Sequence, residues 1–333
     1  TAYEIPKRDW SSDVCSSDLG LGRLLVTGID WIGTSIDPFT QGPEGDGAEL
    51  ERIRAAAAER APSLVIAATS RRNWLETTLA ADAAGARRLA FASDSDDAFF
   101  ATQLRVSLGV AAAGVFETVP APPAGEPDWR RNLRLAEAAL GRALEAQPPA
   151  IVPGEHGQDG ILARHGLAAG RFAVCAPAGF ANVRLKTWPA ERFAEVIADL
   201  RARQDLPTLL VGSTEEREYL VQIPGAAAVW TGGPGDLPLL AGILSQAALY
   251  VGNDTGAMHL AAATGIPVVG VFGGGTWPRF TPAAARGAAV VHPLPCFGCG
   301  WDCAFSDAPC LGLIRTEDVN GAIAHVLGGG AMT

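Results

Sequence analysis

From Gly20 onward the 333-residue chain alternates short apolar runs with stretches of helical composition, and this alternation restricts the fold more than any other feature. In the second half Phe172–Ala176, Thr208–Val211, Ala228–Trp230, Ala248–Gly252 and Pro267–Phe272 read as strands. Between them Ala190–Arg203, Glu215–Gln222, Leu237–Ser245 and Ala257–Thr264 read as helices. The strand runs are apolar at successive positions, as strands covered on both faces of a parallel sheet are. The first half carries the same pattern less regularly. Arg23–Gly28, Ser63–Ala68, Arg88–Ser93 and Val115–Val119 read as strands, and Ala48–Arg60, Trp74–Ala84 and Asp128–Gln147 as helices. A Pro- and Gly-rich stretch follows, from Pro148 to Gly160. The expected class is α/β, with two Rossmann-like domains facing a cleft, over residues 20–150 and 166–330, joined by a linker over 151–165. In such sheets ligands sit at the carboxyl ends of the strands.

Composition removes several function classes. Hydrophobic residues make up 48% and charged residues 19%, which is globular rather than disordered. A formal net charge of −10 argues against nonspecific binding of nucleic acid or of an anionic membrane surface. No apolar run approaches the roughly 20 residues of a membrane span. Residues 1–19 have neither a secretory pattern nor a helix or strand period. Asp9 to Leu19 can be written codon by codon as a common sequencing-library adapter, and Thr1 to Ile5 fits its outer part. We therefore expect residues 1–19 to be an adapter-derived tail joined to a gene fragment near Gly20, with the domain over 20–150 truncated.

Two segments carry candidate chemistry. The stretch from Val251 to Leu260 reads VGNDTGAMHL, an apolar strand running through Asn253 and Asp254 into a small-residue helix. Thr255 suits the helix N-cap, and Gly256 allows close approach to the backbone. Free N–H groups at the helix start favour an anion. His259, one turn in, leans back toward the same point. Asp254 would repel a phosphate, so it suits sugar hydroxyls or orientation of the turn. The alternative is that Asp254 and Thr255 only cap the helix and His259 is a satisfied core residue. The segment CAPAGFANVRLKTWPAERF, Cys175 to Phe193, also follows a strand. It places Arg184 and Lys186 just before a helix starting near Pro189, where basic groups suit a diphosphate. The alternative there is ordinary solvated charge.

Lys-Thr-Trp-Pro with Glu191-Arg192-Phe193 comes first, followed by Gly212-Ser213-Thr214-Glu215-Glu216. Asn-Asp-Thr-Gly-x-x-His-Leu-Ala-Ala-Ala comes next, then Val271-Phe272-Gly273 with Thr276 and Pro278-Arg279-Phe280. In this order the motifs resemble glycosyltransferase family nine, the ADP-heptose:lipopolysaccharide heptosyltransferases and their relatives. The resemblance covers the second half of the chain. It implies the GT-B fold, an acceptor-side N-terminal domain and a C-terminal domain that binds a nucleotide sugar. It implies inverting transfer of a sugar, heptose favoured, from a nucleoside-diphosphate donor to a lipopolysaccharide-type or other glycan acceptor. By the same resemblance Lys186 contacts the diphosphate with Arg184 assisting. Glu216 accepts from the ribose hydroxyls with Glu215 as the fallback, and the backbone near Gly235–Leu237 flanks the base. Asp254, Thr255, Gly256 and His259 hold the phosphates and the donor sugar. The catalytic base is an Asp in a loop after the family's first strand. That loop is not found here, so the base is unknown and expected upstream, with Asp30 the weaker alternative. The implied partners are ADP-heptose and a glycan or lipid A-core type acceptor, with no nucleic acid and no transmembrane segment. The implied location is the cytoplasm, at the inner membrane face if the protein associates peripherally.

Cys296, Cys299, Cys303 and Cys310 form a C-x2-C-x3-C-x6-C loop. It reads either as a structural Zn or Fe site or as four free thiols, and catalysis needs no cofactor. Two further activities compete with sugar transfer: a fragment that only binds nucleotide sugar, and a GT-B sugar-nucleotide epimerase. A dinucleotide oxidoreductase is disfavoured because Gly273-Gly274-Gly275 precedes Thr-Trp-Pro rather than opening a helix.

Overall fold

The computed structural model describes residues 34–36, 42, 47–68, 72–92, 105, 109, 114–121, 123, 125–179 and 184–331. The adapter-like tail over residues 1–19, the expected strand Arg23–Gly28 and Asp30 all lie outside the described residues. The chain divides into two compact units, Thr1–Ala146 and Gln147–Thr333.

The first unit runs α1 (Gly47–Glu59), β1 (Leu64–Ala67), α2 (Trp74–Asp82), β2 (Arg87–Phe91), β3 (Glu117–Val119) and α3 (Asp128–Leu140). Its strands form a parallel sheet in the order β1-β2-β3. Asn73 caps α2 by accepting from the Glu76 N–H, and the left-handed Gly141 ends α3 seven residues before Pro148. The helical pattern expected to reach Gln147 is cut there because Gly141 adopts φ 65° at no steric cost.

The second unit runs α4 (Gln158–Arg164), β4 (Ala173–Ala176), α5 (Ala190–Gln204), β5 (Thr208–Ser213), α6 (Arg217–Leu220), β6 (Ala228–Gly232) and α7 (Leu237–Ser245). It continues with β7 (Leu249–Asn253), α8 (Gly256–Ala263), β8 (Val268–Phe272), β9 (Gly287–Val291), α9 (Pro309–Gly312) and α10 (Thr316–Leu327). All six strands are parallel, in the order β6-β5-β4-β7-β8-β9. Numbered within the unit this is 3-2-1-4-5-6, the doubly wound Rossmann order. Every residue of β4, β7 and β8 is buried, which is why these runs carry no polar alternation.

The stretch expected as a linker over 151–165 contains a helix. Its first part is irregular, but a left-handed Gly157 starts α4, which buries Ile161 and Leu162. The sequence reading stopped at Phe272 and so omitted β9 and α10. β9 is GAAVV, too small-sided to stand out as an apolar strand. α10 packs on β9, β8 and α5, with Thr316 hydrogen-bonding Glu195 of α5.

The main core brings together Trp188, Phe193, Ile197 and Leu200 from the α5 side, Leu210 and Val251 from the sheet, and Val319 and Ile323 from α10. The Trp188 and Phe193 rings meet edge to face, 4.9 Å between centroids. Phe193 is wholly buried. Phe193→Ala is expected to lower the unfolding free energy of the chain by about 3–5 kcal/mol, measured by denaturant titration, through lost burial and the cavity left behind.

Candidate functional site

The strand order reverses direction between β4 and β7, so the connections leaving their carboxyl ends go to opposite faces of the sheet. That opens a crevice at the carboxyl edge, where an open α/β sheet binds its ligand. The two segments singled out in the sequence are the connections that leave these two strands.

Asn253, the last residue of β7, holds them together. Its side chain is buried, and Nδ2 donates to the Pro177 carbonyl at 2.8 Å and the Ala178 carbonyl at 3.3 Å in the loop leaving β4. Its Oδ1 accepts from the Trp188 N–H at 3.1 Å. Trp188 is itself anchored, its indole N–H donating to the Ile314 carbonyl at 3.1 Å. The short 3-10 turn Arg184–Lys186 is therefore delivered to the end of β7 by hydrogen bonds to a single amide.

There Lys186 Nζ lies 3.4 Å from Asp254 Oδ2, with the side chains 15% and 8% exposed. An ion pair this shielded from water is not a surface pair, and loss of one partner leaves the other charge uncompensated. The Phe280 and Trp301 rings flank the ammonium, their centroids 5.7 Å and 5.5 Å from Nζ. Arg184 opens the turn, and its side chain lies outside the described residues.

Thr255 occupies the N-cap of α8, but its side chain makes no capping hydrogen bond. Its hydroxyl instead lies 3.4 Å from the buried Tyr250 hydroxyl. No side chain therefore caps the start of the helix, and the exposed Gly256 has nothing within 4 Å of an added Cβ. His259 keeps solvent access while protein crowds its ring, so it is neither a sealed core residue nor a free surface one. Water stripped from its ring by the surrounding protein holds its pKa below the ordinary value; Asp254 opposes this and Lys186 adds to it.

Glu216 joins the ends of β4 and β5. Its Oε1 accepts from the Gly179 N–H and its Oε2 from the Ser213 N–H, each at 2.8 Å. Gly179 has φ 133°, and a Cβ there would meet the Thr255 Cγ2 at 2.8 Å, so only glycine fits. Glu215 faces solvent; backbone and Ser213 hydrogen bonds hold its carboxyl below the ordinary range. Of the adjacent pair, Glu216 is the one turned toward the other site residues.

The glycine triple after β8 receives the cysteine loop. Gly298 and Gly300 donate N–H bonds to the carbonyls of Gly274 and Gly275 at 2.7 Å and 2.9 Å. Cys310 is buried, and its sulfur accepts from the Gly274 N–H at 3.4 Å. Burial pushes its thiol pKa up, and the neighbouring cysteines add to the rise. Cys296 is exposed and Cys299 and Cys303 half-buried; all are free thiols. Among the described residues no group of three or more His, Cys, Asp or Glu side chains is placed to hold a metal. A metal site needs converging thiolates, and here the Cys310 sulfur accepts a backbone N–H.

The sequence names Asn253 at the strand end without giving it a role, and it singles out neither Gly179 nor Trp301. Asn253 could have been suspected as an amide ending an apolar strand, but its partners lie 65 and 75–76 residues away.

Asn253→Ala is expected to cost about 1–3 kcal/mol for each buried group it leaves unpaired, read by denaturant titration. His259 gives a pH signature. The folded state binds its proton less readily than the unfolded chain, so no penalty exists above the ordinary pKa of 6.5. Stability falls as pH drops through that value toward the lowered folded one. His259→Gln is expected to flatten this part of the stability–pH curve.

The model of glycosyltransferase family 9 (heptosyltransferase) matches residues 107–299, more than half of the chain. No curated protein sequence matches. Among solved structures, a family 9 glycosyl transferase from Veillonella parvula is 18% identical, with a TM-score of 0.61, over 87% of this chain and 81% of that one. The E. coli ADP-heptose lps heptosyltransferase II is 17% identical, with a TM-score of 0.58, over 97% of both chains. The E. coli heptosyltransferase WaaC, solved with ADP, is 19% identical, with a TM-score of 0.56, over 94% of this chain and 96% of that one. The shared architecture is that of the GT-B glycosyltransferases, and with its parallel α/β sheets and the family match over more than half its length, the chain belongs to glycosyltransferase family 9.

Proposed function

We propose that the second unit binds the donor of an inverting sugar transfer, a nucleoside-diphosphate sugar with ADP-heptose favoured, and that the acceptor is a lipopolysaccharide-type glycan. The observation that carries this reading is the Lys186–Asp254 pair at the carboxyl ends of β4 and β7, beside an N-terminus of α8 that no side chain caps. A cation and free backbone N–H groups converging on one point suit a diphosphate, and they oppose the charge that builds on it as the sugar departs.

In this reading Lys186 binds the diphosphate, assisted by Arg184, while the backbone of Thr255 and Gly256 seats the phosphates. Asp254 cannot face phosphate favourably, so it orients Lys186 and accepts from sugar hydroxyls. His259, held toward its neutral form, offers a ring nitrogen to the same sugar. Glu216 already accepts two backbone N–H bonds, and a carboxylate has lone pairs left for ribose hydroxyls. Glu215 is the fallback. An inverting transfer also needs a base for the acceptor hydroxyl. Asp254 and Glu216 are both engaged, so the base is not assigned here, and Asp30, outside the described residues, is only the weaker alternative. Support for the nucleotide comes from the WaaC structure, which contains ADP. No helix among the described residues is long and apolar enough to cross a membrane. The proposed place of reaction is the cytoplasmic side of a membrane that carries the acceptor.

Calorimetry with ADP, paired with mass spectrometry of products from ADP-heptose and a glycan acceptor, tests the reading. Lys186→Ala is expected to weaken ADP about 10–100-fold, the scale of a lost charge-assisted hydrogen bond. Asp254→Asn is expected to hold ADP affinity within about threefold, because it removes a charge that repels phosphate, yet to lower turnover with the sugar nucleotide. Absence of any nucleotide binding by the parent chain would sink the proposal. Binding without transfer would instead mark the chain as a donor-binding fragment.

A further inference from the structure

The four-cysteine loop contributes an aromatic side chain to the site, and nothing in the donor reading above uses it. Trp301 is 7% exposed and lies with its ring against Gly273 and Gly275. Its backbone has φ 67°, a left-handed conformation that is a genuine outlier for so bulky a residue. Its indole N–H is buried and finds no hydrogen-bond partner among the described residues. Trp188 shows the ordinary arrangement, with its N–H bonded to a carbonyl. Trp301 is thus held by neither a relaxed backbone nor its polar atom. Such unfavourable local features persist where the surroundings enforce them and are concentrated at functional sites. What the loop does secure is the ring face, which stands 5.5 Å from Lys186 Nζ, with Phe280 at 5.7 Å as a second wall.

We propose that Trp301 is a positioning residue for Lys186: its ring face holds the ammonium at the diphosphate seat, and the cysteine loop exists in this conformation to deliver that ring. The inference rests on the donor-site reading above. An ammonium is attracted to an aromatic face, and the attraction strengthens as water is excluded. A lysine stem has four rotatable carbons, so two ring walls and Asp254 together remove the freedom that diphosphate binding would otherwise have to remove. Gly273 and Gly275 are required for this seat, since a Cβ on either would overlap the Trp301 ring carbons.

Calorimetry of the full chain with ADP and, separately, with adenosine tests the proposal. Trp301→Leu is expected to weaken ADP about tenfold and adenosine by less than about twofold, because the cation–ring contact acts only on the phosphate-binding group. Trp301→Phe keeps a ring face and is expected to restore ADP affinity to within about threefold of the parent. Gly275→Ala displaces the ring without altering it and is expected to reproduce the Trp301→Leu pattern. Equal losses for ADP and adenosine, or a phenylalanine variant as weak as the leucine one, would overturn the proposal. If Lys186→Ala weakens ADP while both Trp301→Leu and Gly275→Ala leave it unchanged, the donor site stands and the role of Trp301 falls. If the parent binds no ADP, the donor-site reading fails and this inference fails with it.

Discussion

One amide side chain, Asn253, holds the carboxyl edge of the second sheet in its working arrangement. It donates to two carbonyls of the loop leaving β4 and accepts from the Trp188 N–H, so three chain segments meet on one buried group. Backbone groups in a tight loop at a sheet edge cannot reach a ladder partner, and a buried polar group without one costs roughly 1–3 kcal/mol. An amide is suited to the task because it carries both donors and an acceptor. An aspartate could not donate to the carbonyls. With Asn253 in place, Lys186 is carried to Asp254, and Gly179 is brought against Thr255.

The electrostatics are local and opposite in sign to the whole. The chain carries a formal charge of −10, yet the seat at β4 and β7 is built from an ammonium and an uncapped helix start. Desolvation makes this arrangement strong for an anion and costly to leave unpaired, and Asp254 compensates Lys186 when no other anion does. In the proposed reading a diphosphate shares that ammonium with Asp254 rather than replacing it. The two aromatic walls contribute attraction without adding a charge that would compete with the ligand.

Much of the fold was legible because burial on both faces leaves a mark that period analysis detects. β4, β5, β7 and β8 are buried runs of Val, Leu, Ala and their like, and the helices between them were found at nearly the observed bounds. β9 was not found, since GAAVV offers little side-chain signal and is recognised only by its pairing with β8. The left-handed glycines 141 and 157 cut one expected helix short and began another, and backbone conformation of that kind is not written in composition. The cysteine spacing suggested a metal. The four thiols share one loop, but one is buried against a backbone N–H and another is exposed. Spacing along the chain fixes proximity and does not fix whether lone pairs converge.

The sequence by itself determined the class of fold, the sites of its strand–helix junctions and the polar residues that stand at them. Lys186 and Asp254 stood out as charged side chains near the ends of apolar strands, and Glu216 was picked out only by the family resemblance. Only the tertiary structure decided which junctions meet. The order β6-β5-β4-β7-β8-β9 makes neighbours of strands about 75 residues apart, and no local pattern encodes that pairing. It also decided between adjacent candidates, turning Glu216 inward and Glu215 to solvent, and it turned a loop read for its sulfur into one that presents a tryptophan ring. The reason is common to all three. Side-chain direction and non-local contact follow from the packing free energy of the whole unit, whereas sequence periodicity reports only which face of each element is apolar.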